Sequence, residues 1–490
     1  MALETNFWGY SAIHSSGLRL SGPENQDVRL RKFTIYPALG LRSVLTRSVI
    51  RMTRWRFTAI NESGLPFLTE LCAIARKYPS VRSAMLALAS SLRPALSLKS
   101  LSSLSAPDHP QHQPSDLDLS ALERYQSALE DLQIKISRIN VSHANNDDIV
   151  ELLGSVLILI TVGFPSDSRS TQDADWTLHI SGIVSLIESI DQNAIQSAYV
   201  SRLAREIAAY LDIGVFSLGS SGQSRSKRAW LTWDIEPPEA PQQTDFSPME
   251  VMLGYPRSLI TLIAAMAALL DCQDRGEVDL LTQTIIGKLY DRACQDSEYV
   301  TPTTERQVQE TRTVFGQLFS QFETALTLWT PPVVPSRIST SVSLALTTAW
   351  EIMRKAGLIY LWRGGLKTSV LHQSSTVHAR TVGKFIREMI LGLQALLHMY
   401  DEQRITIMNI MTWPTVIIAN ECGKDRGLQA EVLDVLRGMY MRFAIQHIKH
   451  IITIVEELWC RVENSLEFIH PPHISMEDIS REMGFCLPLF

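Results

Sequence analysis

Apolar residues recur at helical spacing along most of this chain. Val342, Leu346, Ala349, Trp350, Met353, Gly357, Tyr360 and Leu361 form one broad stripe, which predicts a helix with a buried face. The pattern returns over Val382–Met399, and Leu428–Trp459 reads as one long periodic run. Upstream, residues 64–96 predict two helices broken at Pro79, and a long helix follows from Leu119 to about Ile139. Asn145-Asn146-Asp147-Asp148 supplies caps for a helix over Ile149–Val162, because Asn and Asp oxygens accept the orphan N–H groups of a first turn. Further helices are predicted over Trp176–Ile190, Ala198–Leu211, Met249–Leu270, Val278–Cys294 and Glu305–Trp329, the last stopped by Pro331-Pro332. No alternating stretch runs longer than a few residues. The fold class is therefore all-α, a large irregular multi-helix body of antiparallel helix pairs.

Two Ser- and Pro-rich stretches, near 97–118 and 219–249, read as linkers within that body. Residues 1–60 lack clean periodicity apart from Leu41–Phe57, where Arg47, Arg51 and Arg54 share one helical face. The expected organisation is a poorly ordered basic arm over 1–60 and one large domain over 61–490. The two most apolar runs, Leu152–Phe164 and Ser258–Leu270, are too short for a membrane span of about 20 residues. They are read as buried helices, with no membrane partner.

Charge sharpens the division. The chain carries −6 overall, yet residues 1–60 hold nine basic side chains against three acids, a balance of +6, which leaves −12 for the rest. Six cysteines in 490 residues are too sparse for a disulfide framework, and Met1–Tyr10 lacks the apolar core of a signal peptide. Reduced thiols in a cytosolic or nuclear protein are expected.

Candidate chemistry is thin. Asp147-Asp148-x-x-Glu151 has the spacing by which helical terpene synthases hold Mg²⁺ against a diphosphate, and the same residues serve as a cap and an acidic first turn. No second metal motif follows downstream. Gly364-Gly365-Leu366-Lys367-Thr368 lacks phosphate-loop spacing and is read as a helix C-cap. His470 and His473, with Cys460 and Cys486, fit no closed zinc site; His447 and His450 sit at i, i+3 with no adjacent glutamate of a metalloprotease pattern. His179 is read as a packing histidine. No catalytic, cofactor-binding or metal-ligating residue is assigned, and no cofactor is expected. The cations of Arg29–Arg56, with Trp55 among them, suit contact with DNA phosphates, a nuclear-import patch, or a solvated helix.

Several segments together resemble a known family. Trp176-x2-His179-x2-Gly182 followed by Leu186-Ile187, Leu253-Gly254-Tyr255, and Ala349–Arg363 resemble successive motifs of the fungal-specific transcription factor domain. Trp413-Pro414 with Glu421, Cys422 and Arg426 is similar to a further motif, with Ala419 where the family has Gly. Trp459 and Met476–Leu487 match its end, so the resemblance covers about residues 64–490. It implies a nuclear regulator of fungal transcription that works through other transcription factors or co-regulators, as a homo- or heterodimer. The family's domain is often joined to a binuclear zinc cluster built on C-x2-C pairs, and this sequence holds no C-x2-C; its first cysteine is Cys72. Weak or indirect DNA binding is expected. The rival reading is a Mg²⁺-dependent, terpene-synthase-like helical enzyme using Asp147, Asp148 and Glu151.

Overall fold

The computed structural model describes residues 73–91, 116–138, 145–163, 175–189, 199–219, 250, 253–275, 310–336, 338–364, 379–443, 447–465 and 474–489. The basic arm, most of both linkers, Val278–Cys294, Gly365–Thr368 and the His470–His473 loop lie outside them.

A helical segment over 73–77 comes first, followed by five helices: α1 (Pro79–Ser91), α2 (Asp116–Arg138), α3 (Asn146–Gly163), α4 (Asp175–Ser189) and α5 (Tyr199–Leu211). Pro79 does break the chain, and it does so by starting α1, where its missing N–H is an orphan in any case. Asn145 caps α3, its Oδ1 accepting from the Asp148 amide at 2.9 Å. Helix α2 begins at Asp116, inside the stretch expected to be linker. Val81, Ala84, Met85 and Leu88 of α1 are buried where α1 packs on α2 and α3, and α3 is buried almost all round between these helices and α4 and α5.

After α5 the chain forms strand β1 (Ser217–Leu218), then α6 (Arg257–Arg275), α7 (Glu310–Leu328), α8 (Thr340–Arg363) and α9 (Ala379–Gln403). The helix expected over Met249–Leu270 is interrupted. Gly254 takes φ +82° and Pro256 follows, so Leu253–Pro256 is a turn and the apolar helix starts at Arg257. Helix α8 carries its predicted stripe: Val342, Leu346, Ala349, Trp350, Met353, Gly357 and Leu361 are buried, and Tyr360 is half-buried. Ser339 caps its start, and Gly364 ends it in the left-handed region with its N–H on the Leu361 and Tyr360 carbonyls.

The last elements are α10 (Thr412–Glu421), α11 (Arg426–Phe443), α12 (His447–Asn464), α13 (Met476–Glu482) and strand β2 (Leu487–Pro488). The long run Leu428–Trp459 is two helices rather than one. Arg426 faces Glu463 at 3.4 Å and Arg437 faces Glu456 at 3.6 Å, so α11 and α12 form an antiparallel hairpin. Strand β2 pairs antiparallel with β1, Ser217 opposite Pro488 and Leu218 opposite Leu487. Buried side chains from Ala75 to Leu489 form one continuous core. No described helix is long and apolar enough to cross a membrane.

Candidate functional site

The segments singled out by the sequence converge on α10. Thr412 through Asn420 are buried without exception, because α10 is surrounded by α8, α9, α11 and α12. Its first turn is also tied to the C-terminal segment: the Trp413 amide donates to the Leu489 carbonyl at 3.0 Å, and the Leu489 amide donates to the Phe216 carbonyl at 2.8 Å. Helix α10, the segment before β1, and the C-terminal strand thus share one hydrogen-bonded junction.

Aromatic rings run through that junction. Tyr255 stacks on Tyr210 and Tyr210 on Phe216, each with centroids 4.6 Å apart. Phe216 meets Trp413 edge to face at 5.3 Å, and Trp413 meets Tyr360 of α8 at 5.9 Å. The row links the turn before α6, helix α5, α10 and α8. Two other tryptophans pin helices through their indole N–H groups. Trp350 donates to the Gly254 carbonyl at 2.8 Å, and Trp459 donates to the Ala419 carbonyl at 2.9 Å. The Trp413 Nε1, by contrast, has no hydrogen-bond partner among the described residues, nor do Thr412 Oγ1 and Asn420 Oδ1.

Charge is held at two buried forks. Arg363, ending α8, reaches Glu421 at the end of α10 with 2.6 Å from Nη2 to Oε2 and 3.0 Å from Nε to Oε1. Burial raises the Glu421 carboxyl above its usual value, with the Arg363 bonds acting against that rise. Arg257, starting α6, grips Glu206 of α5 through Nε at 3.0 Å and Nη2 at 2.8 Å. Glu421 and Arg363 belong to the recognised motifs. The Arg257–Glu206 pair and Phe216 do not, since their partnerships depend on chain crossings that no local spacing announces.

The carboxylates of Asp147, Asp148 and Glu151 face lysines. Lys77 pairs with Asp147 at 2.6 Å, Lys135 reaches Asp148 at 2.8 Å and Glu151 at 2.6 Å, and Ser80 donates to Glu151 at 2.7 Å. These contacts tie α1 and α2 to the first turn of α3. The Lys77 hydrogen bond holds Asp147 below its usual value. Ammonium groups stand where a metal-binding reading needs a cation, and no grouping of three or more His, Cys, Asp or Glu fit for a metal occurs among the described residues. Cys422 donates to the Ile418 carbonyl at 3.3 Å, and burial pushes its thiol up to about 12. A buried, protonated thiol is a packing group, not a nucleophile. Trp176 and His179 lie in α4, with Gly182 and Ile187 buried farther along it; the two aromatic side chains lie outside the described residues. His447 is buried, His450 packs at 4.4 Å on Phe485, and Cys460 is exposed.

The described tryptophan, arginine and glutamate side chains of these segments lock helices into one all-α body. The comparison with family models makes the class specific: the model of the fungal-specific transcription factor domain matches residues 50–485, so the chain belongs to that family. Neither the comparison with curated proteins nor that with solved structures finds a match.

Proposed function

We propose that this chain is a regulator of fungal transcription that acts in the nucleus through contacts of its helical body with other transcription factors or co-regulators. The family match over residues 50–485 is the observation that carries this reading. In the same reading, the 490-residue chain does not itself read DNA sequence. It holds no C-x2-C pair for a zinc cluster, and its balance outside residues 1–60 is −12, which repels phosphate. The enzyme reading loses ground to the lysines on Asp147, Asp148 and Glu151.

A tethering experiment tests regulation directly. The full chain, fused to a heterologous DNA-binding domain in a fungal host, should raise or lower a reporter bearing that domain's site. A well-expressed, nuclear fusion that leaves the reporter unchanged would contradict the proposal.

A further inference from the structure

The outward face of α9 carries cations and an apolar side chain that stay exposed among the described residues. From Ala379 to Ala395 its exposed positions are Ala379, Arg380, Thr381, Lys384, Arg387, Leu391, Gln394 and Ala395, three cations and no acid. Among the described residues neither Arg380 nor Arg387 has an ion-pair partner. Lys384 approaches Glu388 only at 3.7 Å, and that carboxylate is already held by Lys355 at 2.8 Å. Arg380 lies in the first turn, where the helix dipole disfavours a cation, so the arrangement is not one that stabilises the helix.

Apolar surface continues the cationic stripe. Leu391, one turn beyond Arg387, is 66% exposed, and Leu344 on α8 is 59% exposed. The two leucines flank a close crossing of α8 and α9. A Cβ at Gly392, next to Leu391, would come within 2.9 Å of Ile352 Cδ1 and 3.4 Å of Thr348 Cγ2, and Thr348 is one helical turn after Leu344. Leu344 and Leu391 thus stand exposed on the two helices of one crossing, beside the cations Arg380, Lys384 and Arg387.

We infer that this face is a docking site for an acidic amphipathic helix of a partner protein. Its leucines would pack on Leu344 and Leu391 and its carboxylates would meet Arg380, Lys384 and Arg387. Charge complementarity selects the occupant. The chain as a whole is at −6, whereas this face sets three exposed cations against the half-exposed Glu388, which Lys355 already holds at 2.8 Å, a balance suited to an acidic segment. Nucleic acid offers the same negative charge but no apolar ridge for the two leucines. The inference rests on the protein-contact reading for its role in the cell, whereas its test reads only the face.

The probe is a labelled synthetic helix of about 20 residues, with leucines at i, i+4 and i+7 and glutamates on the flanking positions, titrated with the full chain by anisotropy. Binding should weaken as salt rises. Reversing Arg380→Glu, Lys384→Glu and Arg387→Glu together should weaken it at least about tenfold, and Leu391→Ser several-fold. Serine-for-leucine replacement in the peptide should abolish most of the binding, and Arg437→Glu on α11 should leave it unchanged. All these positions are exposed, so an unchanged melting temperature and circular dichroism spectrum keep the comparison clean. Three results would overturn the inference: no peptide binding, equal binding by the triple variant, or duplex DNA bound through the three cations with Leu391→Ser indifferent. A chain that binds the peptide yet leaves the tethered reporter silent would defeat the regulatory reading while sustaining this one.

Discussion

The guanidinium of Arg363 and the carboxylate of Glu421 join the last turn of α8 to the last turn of α10 in a two-point fork, with only 9% and 4% of the two side chains exposed. Removing Arg363 strands the Glu421 carboxylate in the core, and removing Glu421 takes from the Arg363 guanidinium the two-point partner of the fork. Arg363→Ala or Glu421→Ala should therefore cost about 3–5 kcal/mol. The double replacement Arg363→Met with Glu421→Leu should recover much of that loss, because it removes both desolvation costs. Urea unfolding of the four proteins checks this; a double variant no more stable than the worse single would contradict it.

The three core tryptophans should respond differently to phenylalanine. Trp350→Phe strands the Gly254 carbonyl at a cost of about 1–3 kcal/mol, whereas Trp459→Phe leaves the Ala419 carbonyl only the Cys422 amide at 3.4 Å and costs about 1 kcal/mol. Trp413→Phe removes an indole N–H that has no partner among the described residues and keeps an aromatic ring against Phe216 and Tyr360. It should be the mildest of the three in thermal unfolding.

Gly219 should tolerate no side chain. Its φ is +76°, and a Cβ there would stand 2.1 Å from the Phe485 carbonyl and 2.5 Å from Ser480 Oγ. Gly219→Ala should cost at least about 1–3 kcal/mol and loosen the β1–β2 pairing. Limited proteolysis is the readout: faster cleavage within 484–490 is expected, and an unchanged digestion pattern would refute the close packing.

These positions show what the sequence revealed and what it hid. The stripe of α8 was legible because one side of that helix is buried and the other is not. Helix α10 was not, because Thr412–Asn420 is buried on every side and so carries no polar period. The α11–α12 run read as one helix because its apolar phase continues from Leu428 to Trp459, and the contacts that fold it back, such as Arg426 with Glu463, are long-range. The β1–β2 pair has two residues per strand and partners about 270 positions apart in sequence, so its pairing lies beyond local pattern. At the candidate site, Trp413, Glu421, Cys422 and Trp459 were found through family motifs. Lys77 and Lys135, which decide what Asp147, Asp148 and Glu151 face, were not, since they arrive from other helices.

Acid should loosen the helix junctions together. Side-chain hydrogen bonds from Lys77, Lys355 and Arg442 hold Asp147, Glu388 and Asp401 below their ordinary values. A carboxyl with a lowered folded pKa adds stability that is complete above its unfolded value and lost as pH falls through the folded one. From ordinary values of 4.5 for Glu388 and 3.8 for the aspartates, the loss should begin near pH 4.5 and deepen below 3.8. Urea midpoints measured from pH 6 to pH 3 should fall in that window, and a flat profile would count against these pairs.

Thiol labelling should separate the cysteines. Cys460 is exposed, whereas Cys422 is buried with its thiol pushed up to about 12. Native alkylation followed by peptide mass spectrometry should modify Cys460 first and Cys422 only on unfolding. Early modification of Cys422 would mean that α10 is more accessible than its packing indicates.

In the proposed function this chain works through protein surfaces and leaves DNA sequence unread. Specific readout needs a rigid element set against base edges, whereas phosphate contacts alone are sequence-blind and salt-sensitive. The most direct measurement is an anisotropy titration of the 490-residue chain against several duplexes, including a randomised pool, at about 150 mM salt. The predicted result is weak binding that is equal across duplexes, falls steeply with added salt, and disappears when residues 1–60 are deleted. Tight binding that prefers one duplex would contradict the claim.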